Sequence, residues 1–218
     1  RQTDRETDRQ TELIRLLQFV YGYVNVKIKD ISLSITSGGT PNTNIPTYYG
    51  GDIPWLRTQE IDFNIIDKTL MTITQEGMDN SSAKWIDKNC VIVAMYGATV
   101  GKVAINAIPL TTNQACCNIK MNSAVANYKY VYYCLANQYE YIKSLGQGSQ
   151  TNINAQIVKD LEILLPSLER QEKIVSILDK FDAIVNDLSN GLPAEIEARQ
   201  KQYEFYRDKI LNFKKRES

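Results

Sequence analysis

Val91-Ile92-Val93-Ala94-Met95-Tyr96-Gly97-Ala98-Thr99-Val100-Gly101-Lys102-Val103-Ala104-Ile105 sets two short apolar runs on either side of a segment punctuated by two glycines. Runs of this length, rich in β-branched residues, read as buried strands. Gly97 and Gly101 admit positive φ, so the stretch predicts a tight hairpin between Val91–Met95 and Lys102–Ile105. A phosphate-binding loop is the competing reading. It fails, because Val103 follows Lys102 and no glycine lies five positions before Gly101, whereas that loop needs G-x-x-x-x-G-K-[ST].

Outward from the hairpin, residues 23–145 keep the same character: many Asn, Thr and Tyr, short apolar runs, and only ten positive and nine negative charges. The segment reads as mostly β. From Ser167 the period changes. Ile174, Leu178, Phe181, Val185 and Leu188 step by 4, 3, 4 and 3, the a/d seam of a helix that packs on another helix. Gly191 stops that helix and Pro193 suits the first turn of a second. There Ile196, Arg199, Tyr203, Tyr206, Ile210 and Phe213 continue the stepping. The expectation is a helical hairpin or a broken long helix with its seam facing a second helix from another chain or repeat.

Ahead of the β segment stands a polar repeat, Arg1-Gln2-Thr3-Asp4, Arg5-Glu6-Thr7-Asp8, Arg9-Gln10-Thr11-Glu12. Leu13, Leu16, Leu17 and Val20 then supply an apolar stripe at helical spacing, and Arg5 with Asp8 and Glu12 with Arg15 form i,i+3 pairs. A repeated ACAG tetranucleotide would encode Thr-Asp-Arg-Gln, and because four does not divide by three, a change in repeat number would shift the reading frame. The sequence opens at Arg1 without an initiator methionine, which suggests part of a longer reading frame.

Several functions are excluded by composition. The 218 residues hold 25 Lys+Arg, 25 Asp+Glu and no histidine, so imidazole acid–base chemistry and Ser-His-Asp or Cys-His hydrolysis are out. Cys90, Cys116, Cys117 and Cys134 lack metal-ligand spacing and read as small buried residues of a reducing cytoplasm. No apolar run reaches the length of a membrane span, and no signal peptide is visible. There is no N-P-P-[YF] tetrapeptide, no glycine-rich S-adenosylmethionine loop and no [GA]-K-[ST] for ATP. Asp160 with Glu162 is a carboxylate pair beside an apolar run, read as solvated positions.

The chain's family resemblance implies a reader of DNA sequence, and the middle segment is rich in side chains that suit one. Asn and Gln match adenine, and Arg and Lys match guanine, on the major-groove edge. Arg57, Thr58 and Gln59 follow Pro54-Trp55-Leu56, where Trp55 is expected to be a core anchor holding a loop. Arg57 has two readings, a contact to DNA or a surface salt bridge to Asp52 or Glu60. Lys102 suits a phosphate contact from the hairpin. Gly146 to Asn152 is a polar loop whose groups suit phosphates or bases, or else a domain-closing turn with capping Asn and Thr.

Six stretches then fall in a familiar order: Ser37-Gly38-Gly39-Thr40-Pro41, Gly51-Asp52-Ile53-Pro54-Trp55-Leu56-Arg57-Thr58, Val91 to Lys102, Thr112-Asn113-Gln114-Ala115, Gln150-Thr151-Asn152-Ile153-Asn154 and Leu165-Pro166-Ser167-Leu168-Glu169-Arg170-Gln171. With Gly191 to Gln200 and Tyr206-Arg207-Asp208-Lys209 they resemble a type I restriction-modification specificity subunit over roughly residues 24–213. Members usually carry two target recognition domains, each followed by a long helix, and this chain resembles a half subunit with one of each.

The resemblance implies an α+β fold: a target recognition domain with a mixed or antiparallel sheet and short helices over 23–166, after a polar repeat and helix over 1–22, and before a coiled-coil-like arm over 167–218. It implies a cytoplasmic, non-catalytic specificity subunit that reads half of a bipartite double-stranded DNA target. The DNA-contacting candidates are Arg57, Thr58, Gln59, Tyr96, Thr99, Lys102, Asn113, Gln114 and Gln150. A dimer or subunit interface is expected on Ile174, Leu178, Phe181, Val185, Leu188, Ile196, Tyr203, Tyr206 and Ile210, through homodimerisation or a second half subunit. Methyltransferase subunits would bring S-adenosylmethionine and flip an adenine for methylation, and restriction subunits would bring ATP and Mg. No cofactor or metal is expected on this chain. The rival functions are a coiled-coil adaptor whose β domain binds protein or peptide, and a stand-alone DNA methyltransferase or nuclease.

Overall fold

A computed structural model describes residues 2–146, 152–183 and 201–202. The chain divides into two compact units, residues 1–173 and 174–218. The first unit opens with a helix, α1 (Gln2–Tyr21), and a strand, β1 (Tyr23–Lys27). Strands β2 (Ser32–Ser37), β3 (Tyr49–Leu56), β4 (Asn64–Ile66) and β5 (Met71–Ile73) follow. A short helix α2 (Gln75–Asp79) leads to β6 (Trp85–Ile86), β7 (Val91–Ala94), β8 (Val103–Asn106), β9 (Leu110–Thr112) and β10 (Cys116–Met121). Helices α3 (Tyr128–Asn137), α4 (Tyr139–Ser144) and α5 (Ala155–Asp160) precede the last strand, β11 (Glu162–Pro166). Residues 168–173 are helical and close the unit.

The strands build two mixed sheets and a ribbon. One sheet has the order β2-β10-β7-β8-β4, the other β5-β3-β9-β6, and β1 pairs with β11. The pairs β4–β8 and β3–β9 are parallel and the remainder antiparallel. Alternation along β7 and β8 sends Ile92, Ala94 and Ala104 to a cluster with Leu56, Ile86, Leu110 and Cys116, which fills the space between the two sheets. Val91, Val93, Val103 and Ile105, also fully shielded, lie on the other face, where α3 packs on β7 and β8. With both faces covered, these strands carry no polar alternation, which is why they read as continuous apolar runs.

The hairpin is present, with Val91 opposite Ile105 and Val93 opposite Val103. Its connection is wider than a tight turn. Tyr96 leaves the strand into a 3₁₀ turn at Gly97–Thr99, and the return is fixed by Gly101 N–H donating to the Ala94 carbonyl at 2.8 Å. Gly97 and Gly101 hold φ of 82° and 81°, the left-handed region that glycine enters without a Cβ penalty. Trp55 is buried and donates its indole N–H to the Gly39 carbonyl at 3.0 Å, as expected for an anchor. All four cysteines are free, and burial pushes the Cys90 thiol up to about 11 and that of Cys117 to about 12.

α1 differs from the expected pattern. Its inward residues are Ile14 and Gln18, while Leu13, Leu16 and Val20 of the expected stripe stay exposed. The face is chosen by polar contacts with the body of the unit. Gln18 gives its amide to the Pro166 carbonyl at 2.8 Å, Asn122 donates to Thr11 Oγ1 at 3.0 Å, and the Arg15 guanidinium donates to the Ala124 carbonyl at 2.9 Å instead of pairing with Glu12. Of these contacts the one from Gln18 is buried, where a carbonyl without a donor is costly.

In the second unit, residues 174–183 are helical. Ile174 and Phe181 are exposed, Leu178 is half-buried, and Val175 is the buried residue of the stretch. Val185, Leu188, Ile196, Tyr203, Tyr206 and Ile210 lie outside the described residues.

Candidate nucleic-acid interface

Three connections meet at one end of the two sheets. The first follows β3 as Arg57 and a 3₁₀ turn at Thr58–Glu60, the second is the β7–β8 turn, and the third joins β9 to β10 through Asn113 and Gln114. They are tied to each other. Thr99 Oγ1 donates to the Thr58 carbonyl at 2.8 Å, and Asn113 N–H donates to the Leu56 carbonyl at 2.9 Å. Thr40 hydroxyl donates to Gln114 Oε1, joining the Ser37–Pro41 stretch to the third connection. Position 38 of that stretch must be glycine, since a Cβ there would stand 1.9 Å from the Thr112 carbonyl oxygen.

Within this end the candidate residues divide by role. Gln59, Tyr96 and Gln114 are exposed, and Arg57, Thr99, Lys102 and Asn113 are half-buried. Thr58 is only 6% exposed and its carbonyl is taken by Thr99, so it props the loop rather than projecting from it. Asn113 turns its Oδ1 onto Ala115 N–H at 3.2 Å and the Cys116 thiol at 3.2 Å, which shapes the β9–β10 turn. Gln150 lies outside the described residues.

Of the two readings of Arg57, the salt bridge to Asp52 or Glu60 is not formed among the described residues. Glu60 Oε1 accepts the Arg57 backbone N–H at 3.2 Å and Oε2 that of Leu70 at 2.7 Å, while the Arg57 Nε is buried with no partner. The side chain is thus held half-buried without an ion pair. Lys102 is engaged: its ammonium donates to Asp62 Oδ1 at 2.6 Å and sits 5.9 Å from the Phe63 ring centre. A phosphate at Lys102 would therefore compete with a carboxylate for the ammonium.

The polar loop after Gly146 re-enters the described chain at Asn152, whose Oδ1 accepts Gly97 N–H at 3.4 Å, and Ile153 N–H donates to the Met95 carbonyl at 3.0 Å. Asn154 caps α5 by accepting Ile157 N–H at 2.9 Å, in line with a capping role for this stretch. Asp160 is tied to Gln156, Lys29 and Lys27. These contacts, led by Gln156, draw its carboxyl down to about 2, so it behaves as a structural anion.

Three residues of this end carry no signal in the sequence. Phe63 packs edge-on against Tyr139 with ring centres 5.2 Å apart, and the Lys143 ammonium lies 5.5 Å from the Tyr139 ring centre. They come from the bend before β4 and from α4, far apart along the chain, and no periodicity links them. Among the described residues no cluster of His, Cys, Asp or Glu has metal-binding geometry, and no helix is long and apolar enough to cross a membrane.

The chain is similar to curated proteins and solved structures of one family. It is 34% identical to the Escherichia coli EcoR124I/EcoR124II specificity subunit over 94% of this chain and 52% of the relative. It is 33% identical to the Methanocaldococcus jannaschii MjaIX specificity subunit over 74% of this chain and 38% of that one. The chain thus spans about half or less of the length of these relatives. Among solved structures, the HsdS subunit of Thermoanaerobacter tengcongensis matches with a TM-score of 0.59 at 15% identity, covering 88% of this chain and 48% of that one. The S subunit of M. genitalium matches at 0.56 and 22%, covering 88% and 46%. At such identities these two speak for the fold alone. A model of the type I restriction modification DNA specificity domain matches residues 21–198, from the start of the β-rich body into the helical region, and on that match the chain belongs to the type I restriction-modification specificity family.

Proposed function

We propose that this chain reads one part of a DNA target for a type I restriction-modification complex, with the loop end of its two sheets as the reading surface. One observation carries this: connections separated by dozens of residues are hydrogen-bonded into a single end that displays Gln59, Tyr96 and Gln114 beside the half-buried Arg57. Planar amides and guanidinium groups on a rigid support are what base-edge readout requires. Phosphate binding by Lys102 follows displacement of Asp62.

The catalytic chemistry belongs to other chains in this reading. Methyltransferase subunits bind S-adenosylmethionine, restriction subunits use ATP and Mg, and this chain holds neither cofactor. The helical region from 167 onward is the docking and spacing arm, and its seam joins a second copy or a second specificity chain. With zero net charge, the chain alone offers little phosphate neutralisation, so the modification subunits supply most of the affinity. Such a complex works on chromosomal DNA in the cytoplasm.

The test is to express the chain with type I methyltransferase subunits in cells lacking other specificity genes and to map adenine methylation. A single new motif, lost when Gln59 and Gln114 are both changed to Ala, is expected. Unchanged methylation in the double variant would overturn the assignment of the surface, and no new motif at all would overturn the function.

A further inference from the structure

Phe63 is the one bulky side chain with positive φ among the described residues, at 51°. Asn89, the other non-glycine residue in that region, has φ of 65° and is of a type that tolerates it. For phenylalanine the conformation is strained, and strain of this kind persists where the surroundings enforce it and the side chain has a use. The surroundings are visible: Asp62 N–H donates to Asn64 Oδ1 at 2.9 Å, and Asn64 Nδ2 donates to the Glu60 carbonyl at 3.1 Å. Glycine or asparagine would satisfy the backbone at less cost, yet the position holds an aromatic ring that remains 37% exposed.

The ring stands on the rim of the proposed reading surface, two residues before Ile65 of β4 and four after Gln59. Lys102 lies over it, and Tyr139, carrying Lys143, supports it edge-on. Gly101, in the β7–β8 turn, has Tyr139 and the Lys143 backbone behind it, both 3.4 Å from where a Cβ would be. The ring is thus braced edge-on by Tyr139, with the Lys102 ammonium over Phe63 and the Lys143 ammonium over Tyr139. A solvated loop gains little from that arrangement. A base step gains from it in two ways, since every base has a face for an aromatic ring and each step is bounded by phosphates.

Resting on the DNA-reading function proposed above, we infer that Phe63 is a DNA-contacting specificity residue that packs against one base step, with Lys102 and Lys143 taking the adjoining phosphates. Asp62 holds Lys102 in place until a phosphate replaces it. The ligand is double-stranded DNA, and the recognised feature is the stacking and deformability of a step rather than a hydrogen-bond pattern.

Phe63→Gly is the decisive variant, because it removes the ring while relieving the backbone. The wild-type and variant chains, each assembled with methyltransferase subunits, are used to select from a randomised duplex pool, and the recovered sequences are compared. The variant is expected to keep its thermal stability, to bind the wild-type target roughly tenfold more weakly, and to lose preference at one or two adjacent positions only. Phe63→Asn, which also accepts positive φ, reproduces this if glycine impairs folding. Identical selected sequences for wild type and variant, or a uniform loss over all positions, would overturn the inference. Failure of the wild-type assembly to select any sequence would instead bring down the DNA-reading function itself.

Discussion

At the scale of single residues, Lys102 and Asp62 set a measurable electrostatic balance. Their 2.6 Å contact already pairs the ammonium with an anion, so a phosphate arriving at Lys102 gains less than it would at a free lysine. Asp62→Asn removes the competitor, and binding of DNA by the assembled complex should tighten several-fold, with the salt slope steepening by about one phosphate equivalent. Lys102→Ala should weaken binding without altering the preferred sequence, since a phosphate contact positions and does not specify. Titration at several salt concentrations checks both, and an unchanged slope for either variant would remove Lys102 from the interface. Gly38 allows a purely structural prediction. Gly38→Ala drives a methyl into the Thr112 carbonyl and should cost roughly 2 kcal/mol or more in overpacking, read as a lower thermal midpoint of the free chain.

At the scale of elements, the polar residues that seat helices carry more than their number suggests. Gln171, in the helical residues that close the first unit, is fully buried and accepts Asn127 N–H at 2.8 Å while donating to the carbonyls of Val125 and Pro166 at 2.8 and 2.7 Å. Gln171→Leu keeps the bulk but leaves the Asn127 N–H and the Val125 carbonyl without their side-chain partner, while the Pro166 carbonyl keeps Gln18, at about 1–3 kcal/mol for each unpaired group, so denaturant unfolding should show one of the larger losses of any single change in this unit. The Asp160 anchor joins α5 to β1 and the turn that follows. Its carboxyl is drawn down to about 2, against about 3.9 for an unfolded aspartate. The contribution is therefore present above the unfolded value and lost as pH falls toward 2, and the stabilities of wild type and Asp160→Asn should converge at that acid limit and separate above it. These elements also mark how far the sequence could be read. The β7–β8 hairpin was legible because its strands and turn are neighbours in the chain and both faces are buried. The inward face of α1 was not, because its apolar spacing lost to hydrogen bonds with residues over a hundred positions away. Arg57, Gln59 and Gln114 were legible as residue types, whereas Phe63, Tyr139 and Lys143 meet only through the fold.

At the scale of the whole molecule, zero net charge and a sequence-reading surface are reconciled if affinity and specificity reside on different chains. The free chain should then bind DNA weakly and with little preference at physiological salt. Addition of methyltransferase subunits should produce tight, selective binding, and a filter or gel assay at fixed salt separates the two states. Geometry gives the sharper test. If two copies read the two parts of a target across helical arms, the gap between those parts is set by helix length. Inserting seven residues between Phe181 and Asp182, two heptad halves that preserve the seam, lengthens a helix by about 10 Å, near three base pairs at about 3.4 Å each. The methylated motif should keep both of its specified parts and gain about three unspecified positions between them. A symmetric pair further requires the two parts to be inverted copies of one sequence, while a partner of different specificity makes them unrelated. A motif whose gap does not change with the insertion would mean that the arm fixes neither the separation nor the orientation of the reading surfaces, and that the modification subunits set both.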